Sequence, residues 1–481
     1  MPFEWTGDEI RRIGRLVVDL IADHLTSLPG EPAFRPFPAR LAAQMATAPA
    51  PAERVPPDEI LRVFAETIEP FPFGNGHPRF WGWVNSPPAV MGVFADALAA
   101  AMNPSCAGGN HAAIHVERQV LRWFRDLLRF PGESTGLLVS GGSMATMTAL
   151  AVARHVKAGV DIRRDGLRGA AQPFAFYMTS EGHSCARKAI ELLGFGTASI
   201  RTVPTAADFT MDVEALDAAL TRDRNEGVRP IAVIATAGTT NTGAIDPFAA
   251  IADVCRRHGV WLHVDAAYGG PAILSDEYGD AIGALVHADS VALDPHKWLF
   301  VPVEAGLVFV TDSDAMRSTF SLVPPYVRTT GSAGEVYGLP WFSEYGFQQT
   351  RGFRALKVWM AMQQFGLEGY KAVVEENIAL ARYLADRIRS AGDFELMASP
   401  SLSIVCFRYV DAALKSEDQI VGANRVILEK LQLGGDAFIT STELAGRFVL
   451  RVCIVNFRST REDIDQMLNA VRTIGRAVAA V

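Results

Sequence analysis

Between residues 137 and 311, short apolar runs alternate with helical stretches, and this alternation limits the fold more than any other feature of the chain. LLVSGG (137–142) reads as a strand and a tight turn, followed by a helix over 144–158. FAFYMT (174–179) is a strand and 183–193 a helix; PIAVIATAG (230–238), VWLHVDAA (260–267), SVALDPH (290–296) and GLVFVT (306–311) are further runs of strand length. A helix over 246–257 falls between two of them. Fully apolar strands spaced by helices predict an α/β fold with a mostly parallel sheet covered on both faces. Ligands in such sheets sit at the carboxyl ends of the strands, which is where the polar motifs of this chain fall.

The flanks read differently. An apolar stripe over 9–25 predicts a helix, a proline-rich connector covers 29–57, and a second amphipathic helix covers 58–69. Helices over 349–364, 375–390 and 460–479 and strands in SIVCFRYV and FVLRVCIV make a smaller C-terminal α/β part. With 481 residues the chain exceeds one core. The expected division is a helical N-terminal arm (1–85), a large domain (86–365) and a small C-terminal domain (366–481). The arm has no core of its own, so it is expected to lie on another surface such as a second subunit.

A net charge of −8 argues against nucleic acid or an anionic membrane as the main partner. The five cysteines are scattered and form no C-x-x-C pair, which fits a reducing compartment and a cytoplasmic protein. The greasy stretch 81–102 is broken by Asn85, Ser86, Pro87, Pro88 and Asp96, too often for a membrane span.

Five segments carry candidate chemistry, and each has a bland alternative. Lys297, in DPHKW (294–298), follows a buried strand; desolvation would lower its pKa and make it a nucleophile, or it reaches for solvent like any strand-end lysine. Asp265 ends the strand of VWLHVDAA; it is a turn former or a carboxylate that keeps a heteroaromatic nitrogen protonated. SGGSMAT (140–146) joins strand to helix, and Gly142 and Ser143 offer a phosphate cup or a capped turn. It is neither a Walker loop nor a dinucleotide fingerprint. His183 in SEGHS opens a helix, as a surface residue or a ring that stacks on a flat cofactor. Thr240 lies in AGTTNTG (237–243), a plain loop or the edge of a ring site.

Order and spacing together decide. With HPRFWGW (77–83), SGGSMAT, GHS (182–184), AGTTNTGAID (237–246), HVDAAYGG (263–270), DPHKW, PPYV (324–327), RGFRALKVW (351–359) and LRVCIVN (450–456), the chain resembles the group II pyridoxal-phosphate amino-acid decarboxylases, the aromatic-L-amino-acid type among them. The resemblance runs from about residue 5 to 475. It implies fold type I (aspartate aminotransferase-like), pyridoxal 5'-phosphate as cofactor, and a homodimer with the active site at the interface. Lys297 would carry the cofactor as a Schiff base, Asp265 would pair with the pyridinium, and His183 would stack on the ring. Ser143 and the Gly142 backbone would bind phosphate, Thr240 and Ala267 would line the ring, and His296 would join the wall. Tyr326 matches the tyrosine that delivers a proton to Cα. His77, Trp83, Ser86 and Arg451 match the substrate side. Relatives that release aldehydes tend to lack that tyrosine or alter the histidine; both are present here, which favours decarboxylation to amine and CO₂. An aldehyde synthase, aminotransferase or lyase of the same fold is the alternative.

Two positions depart from the family pattern. Asp294 stands where aromatic decarboxylases often carry Asn, and a carboxylate there would repel a phosphate unless paired with His296, protonated or turned away. His111 and His115 replace a Ser-Pro segment at i, i+4 spacing; with no third ligand in view, no metal is expected and His111 is taken to face the substrate. Phe80, Trp81, Trp83 and Phe347 are candidates for an aromatic pocket.

Overall fold

The computed structural model describes residues 3–322, 338 and 340–480. Its central sheet has seven strands: β1 (Thr135–Val139), β2 (Phe174–Thr179), β3 (Ile200–Val203), β4 (Arg229–Thr236), β5 (Trp261–Asp265), β6 (Ser290–Leu293) and β7 (Gly306–Val310). Their spatial order is β1-β7-β6-β5-β4-β2-β3. The pairs β2–β3, β2–β4, β4–β5 and β5–β6 are parallel, and β7 runs antiparallel to both β6 and β1. So β1 points the same way as the parallel strands. Thr236 pairs with Asp265 and Asp265 with Ala292, which brings neighbouring carboxyl ends level.

Burial explains why these runs carry no alternation. Every residue of β5, β6 and β7 is buried, because helices cover both faces. The helix Gly142–Lys157 crosses one face against β4 to β7, using small residues such as Ala145, Ala149 and Ala153 to approach closely. The helices Val213–Asn225 and Phe248–His258 pack against β4 and its neighbours. A buried ion pair pins β1: Arg351 donates to Glu117 and to the Cys106 and Leu138 carbonyls, while Glu117 accepts the Leu138 N–H. Losing one partner of such a pair costs about 3–5 kcal/mol, since the other charge stays buried.

This sheet belongs to one compact unit, Pro88–Arg382 with Ala398–Val405; the other unit joins Met1–Pro87, Tyr383–Met397 and Cys406–Val481. A four-stranded sheet has β8 (Phe394–Leu396), β9 (Ile404–Tyr409), β10 (Thr440–Leu444) and β11 (Arg447–Cys453) in the order β10-β11-β9-β8. The helices Glu417–Gly434 and Arg461–Ala479 open with capping boxes at Ser416 and Thr460. The N-terminal helices are Gly7–Ser27, Ala39–Thr47 and Pro57–Thr67.

The helix Ala39–Thr47 corrects the reading of 29–57 as connector alone. ARLAAQMAT is made largely of strong helix formers and starts just after Pro38, whose ring blocks only what precedes it. The two helices expected over 349–390 form Arg354–Arg389, interrupted at Gly366, where φ is +61°. All five cysteines are buried, and none is joined in a disulfide. Among the described residues, no helix is long and apolar enough to cross a membrane.

Candidate active site

The carboxyl ends of β1, β2, β4, β5 and β6 each open into one of the motifs. After β1, Gly141 precedes the helix Gly142–Lys157 without any side-chain cap, so its first N–H groups are left for another acceptor. Gly142 is required there. A Cβ on it would lie 2.9 Å from Asp294 Oδ2 and 3.1 Å from the Ala267 Cβ. Ser143, exposed, follows it in the first turn.

After β2, His183 is the N-cap of the helix Ser184–Leu192, with Nδ1 accepting the Cys185 N–H at 3.2 Å. That bond assigns the ring proton to Nε2. Much of His183 is open to solvent, yet packing around the ring lowers its pKa, opposed by Asp265. After β4, Gly238 sits at φ +88° and the Thr239 and Thr242 hydroxyls bond at 2.9 Å, fixing the turn that carries half-buried Thr240.

Asp265 ends β5 with 8% of its surface exposed; Oδ1 accepts the Ala267 N–H at 3.1 Å. Its Oδ2 lies 3.9 Å from Cys185 Sγ. Behind it runs an oriented chain of hydrogen bonds. Trp261 Nε1 can only donate, and gives its proton to Ser290 Oγ at 2.8 Å. The serine proton then goes to His263 Nδ1 (3.0 Å), which leaves His263 Nε2–H for Thr146 Oγ1 (3.3 Å). Thr146 lies 3.9 Å from Cys185 Sγ. Burial drives the His263 pKa down to about 4, so the ring is neutral at pH 7.

After β6, Lys297 Nζ lies 3.1 Å from Asp294 Oδ2, and His296 Nε2 lies 3.7 Å from the same oxygen. His296 Nδ1 lies 2.8 Å from the Ala305 carbonyl, to which it donates, and burial lowers the His296 pKa. Lys297 corrects the sequence-based expectation. Burial alone would lower its pKa, but the Asp294 and Asp265 carboxylates outweigh that and leave it raised. Asp294, expected to be a threat to phosphate, is paired with the lysine.

Gly142, His183, Asp265, Ala267, Asp294, His296 and Lys297 therefore converge. The first-turn N–H groups suit a phosphate, Asp265 Oδ2 suits a ring N–H, and Lys297 suits an aldehyde. Cys185 was not singled out in the sequence, although it stands two residues after His183. With His183 and Asp265 it forms a group whose ligand atoms all lie within 4.8 Å.

His77, Trp83, Ser86 and Arg451 fall in the other unit. His77 is fully buried, its Nδ1 accepting the Arg79 N–H, and burial lowers its pKa to about 4. Ser86 is half-buried. Arg451 donates to the Trp83 carbonyl at 2.8 Å. Phe80 and Trp81 are core residues, 1% and 0% exposed, so they line no pocket, whereas Trp83 and Phe347 are exposed. His111 is the N-cap of the helix Ala112–Leu127 and bonds the Gly108 carbonyl, while His115 bonds Asn110. The His115 N–H donates to the His111 carbonyl, so the pair spans the first turn, but the extended backbone of the N-cap directs the two rings to separate partners.

Tyr326 lies outside the described residues. The chain on both sides of that segment is tied to one buried carboxylate: Arg317 and Ser321 donate to Glu344 Oε2, and the Trp341 N–H donates to Oε1.

A phosphate cup, a strand-end carboxylate and a lysine on this sheet define the class of fold type I pyridoxal-phosphate enzymes. Residues 38–410 match the family model described as the pyridoxal-dependent decarboxylase conserved domain. The chain belongs to this family, and it is a pyridoxal-phosphate-dependent amino-acid decarboxylase. It is 34% identical to the aromatic-L-amino-acid decarboxylase of Bacillus atrophaeus over 98% of this chain and 97% of that protein. It is also 34% identical to the L-2,4-diaminobutyrate decarboxylase of Rhizobium meliloti (strain 1021), over 83% of this chain and 78% of that protein. Among solved structures it is similar to Oryza sativa TDC with PLP and tryptamine, with a TM-score of 0.91, 28% identity and 99% of each chain covered.

Proposed function

We propose that the enzyme decarboxylates an aromatic L-amino acid to the corresponding amine. The similarity to an aromatic-L-amino-acid decarboxylase over nearly the whole of both chains carries this, and an aromatic face within the N-terminal unit accords with it: Phe73 and Trp83 are 50% and 45% exposed, with ring centroids 5.3 Å apart, against Phe438 and Phe80. Such a face rewards a flat apolar side chain and offers nothing to a carboxylate or ammonium. The resemblance to the Bacillus aromatic-L-amino-acid decarboxylase supports the reading.

Pyridoxal phosphate, when bound, supplies the aldehyde that takes up the substrate amine and the ring that accepts electrons as CO₂ departs. The chain does the rest. Lys297 Nζ would hold the cofactor through its aldehyde. The Gly142 N–H and Ser143 hydroxyl hold phosphate at the helix start, with His296 in the wall. Asp265 keeps the ring nitrogen protonated, because a nearby carboxylate stabilises the charged form. His183, with Nδ1 occupied by the Cys185 N–H, would stack on the ring, and Thr240 and Ala267 would line its edge. Tyr326 delivers the proton to Cα. The resemblance assigns His77, Trp83, Ser86, Arg451 and His111 to the substrate side; of these, Arg451 donates to the Trp83 carbonyl and His77 is fully buried.

Measuring CO₂ release over a panel of amino acids tests the substrate class. Tyr, Trp, Phe or their hydroxylated forms should be preferred; preference for 2,4-diaminobutyrate or an acidic amino acid overturns the proposal. Tyr326→Phe should cut amine formation by roughly 10²-fold. It should divert product to aldehyde, with O₂ and water consumed and CO₂, ammonia and hydrogen peroxide released. Unchanged amine output in that variant removes Tyr326 from its role.

A homodimer with the site at its interface fits the arm, residues 1–85. Ile10, Val17 and Val18 on the first helix and Ile60, Val63 and Phe64 on the third are exposed apolar residues that a second copy would cover. Five cysteines outside any disulfide accord with the cytoplasm.

A further inference from the structure

We propose that Asp294 is the charge partner that keeps the Lys297 nitrogen protonated, both as the free amine and when that nitrogen carries the cofactor. This rests on the reading of Lys297 as the attachment point. Asp294 is 2% exposed, and its Oδ2 lies 3.1 Å from Lys297 Nζ. Its other oxygen, Oδ1, is buried with no hydrogen-bond partner among the described residues. A carboxylate so placed has given up water on both oxygens, and the cation at Nζ is its main compensation. The reverse also holds. The Lys297 side chain is 23% exposed, so water shares in holding its charge, but Asp294 is the group that touches Nζ.

The remaining groups that face Nζ are accounted for. Asp265, at the end of β5, adds to the negative field, but its Oδ1 is committed to the Ala267 N–H. Cys185 and His183, at the start of the next helix over, enter as a thiol and a neutral ring, both by burial. His296, on the same turn as Asp294, is likewise neutral and leans on the same Oδ2 at 3.7 Å. Lys357 acts on His296 with a positive field, which opposes protonation there. Asp294 is thus the carboxylate in direct contact.

Joining Nζ to the cofactor leaves the nitrogen basic and does not move the Cα of Lys297, three residues along the same turn as Asp294. A protonated nitrogen makes the attached carbon more electrophilic toward the incoming substrate amine. Asp294 would therefore extend the working range of the enzyme to higher pH. An asparagine in its place offers a dipole instead of a charge, and so supports the proton less.

The test is a pH titration of the visible absorption band of the lysine-bound cofactor in the full-length holoenzyme. An opposite charge at this distance shifts a titration by about 1–3 pH units. In Asp294→Asn the midpoint should fall by that much, and Asp294→Glu should restore most of it. A merely structural role would change cofactor content without moving the midpoint. If Asp294→Asn does not retain the cofactor, the pH dependence of the rate at which added pyridoxal phosphate develops the band is measured instead, with Asp294→Ser as the second variant. Its midpoint should also fall. An unmoved or raised midpoint in either measurement overturns the role of Asp294. A wild-type band that cannot be traced to Lys297 overturns the attachment site itself, a separate failure.

Discussion

The strand-end site and the segment 71–86 were both marked by motifs, yet they behave differently. At the strand ends, polar groups stand where burial should exclude them, and each has a partner that serves the site: Asp294 for Lys297, the Cys185 N–H for His183, the Ala267 N–H for Asp265. In the segment 71–86 the conspicuous residues are largely occupied with the fold. His77 is sealed inside, Trp81 donates to Ser459 Oγ at 2.8 Å, and Phe80 stacks on Phe438 at 4.7 Å. Trp83 keeps an open face. Chemistry that needs a charge under the surface is over-determined by its neighbours, while recognition of a side chain borrows whatever the fold leaves uncovered.

This contrast predicts that changes in the first region abolish cofactor attachment, and changes in the second alter substrate preference with the cofactor undisturbed. The largest effect belongs to Lys297→Ala. Turnover should fall by roughly 10³-fold or more, and borohydride should no longer fix labelled cofactor on the chain. Label trapped on another lysine, seen by peptide mapping, breaks the comparison at its root.

Next comes His263, under Asp265. Its folded pKa is about 4 against about 6.5 for an ordinary histidine. A histidine depressed in this way contributes stability that is present above pH 6.5 and is lost as pH falls through 4. Each pKa unit is worth about 1.4 kcal/mol, so the gap amounts to on the order of 3 kcal/mol. His263→Gln should flatten the acid limb of unfolding midpoint against pH between 6.5 and 4; an unchanged slope means the ring is not buried neutral.

Trp83→Ala gives the smallest effect, a rise in KM of about 10-fold for an aromatic substrate, as expected for losing part of an aromatic contact. Cofactor absorbance should stay as in the wild type. Loss of the band would show that the segment supports the cofactor site too and erase the distinction.

Legibility follows the same line. The parallel sheet was readable because β4, β5 and β6 are largely apolar runs without alternation, and β4 is followed by the helix Phe248–His258. The site was readable because Lys297, Asp265 and Gly142 each break a local rule at a strand end. The raised pKa of Lys297 was not, because it depends on Asp294 as a neighbour in space, and sequence suggested desolvation alone. Nor was the oriented chain from Trp261 to Thr146, since it joins residues from β5, β6 and the helix Gly142–Lys157. The helix Ala39–Thr47 was hidden by the prolines around it. The fate of Phe80 and Trp81 was hidden too, because an aromatic residue looks the same in a core and in a pocket.

Cys185 has a bearing on durability. Burial, with Asp265 beside it, pushes its thiol up to about 12. At pH 7 that leaves almost no thiolate, and the thiolate is the form that peroxide and alkylating reagents attack. The other four cysteines are buried as well. Any peroxide formed by stray oxygen at the active centre would thus meet a sulfur that is close by but chemically muted. A single cysteine introduced on the surface should be open to selective labelling without first removing the native five.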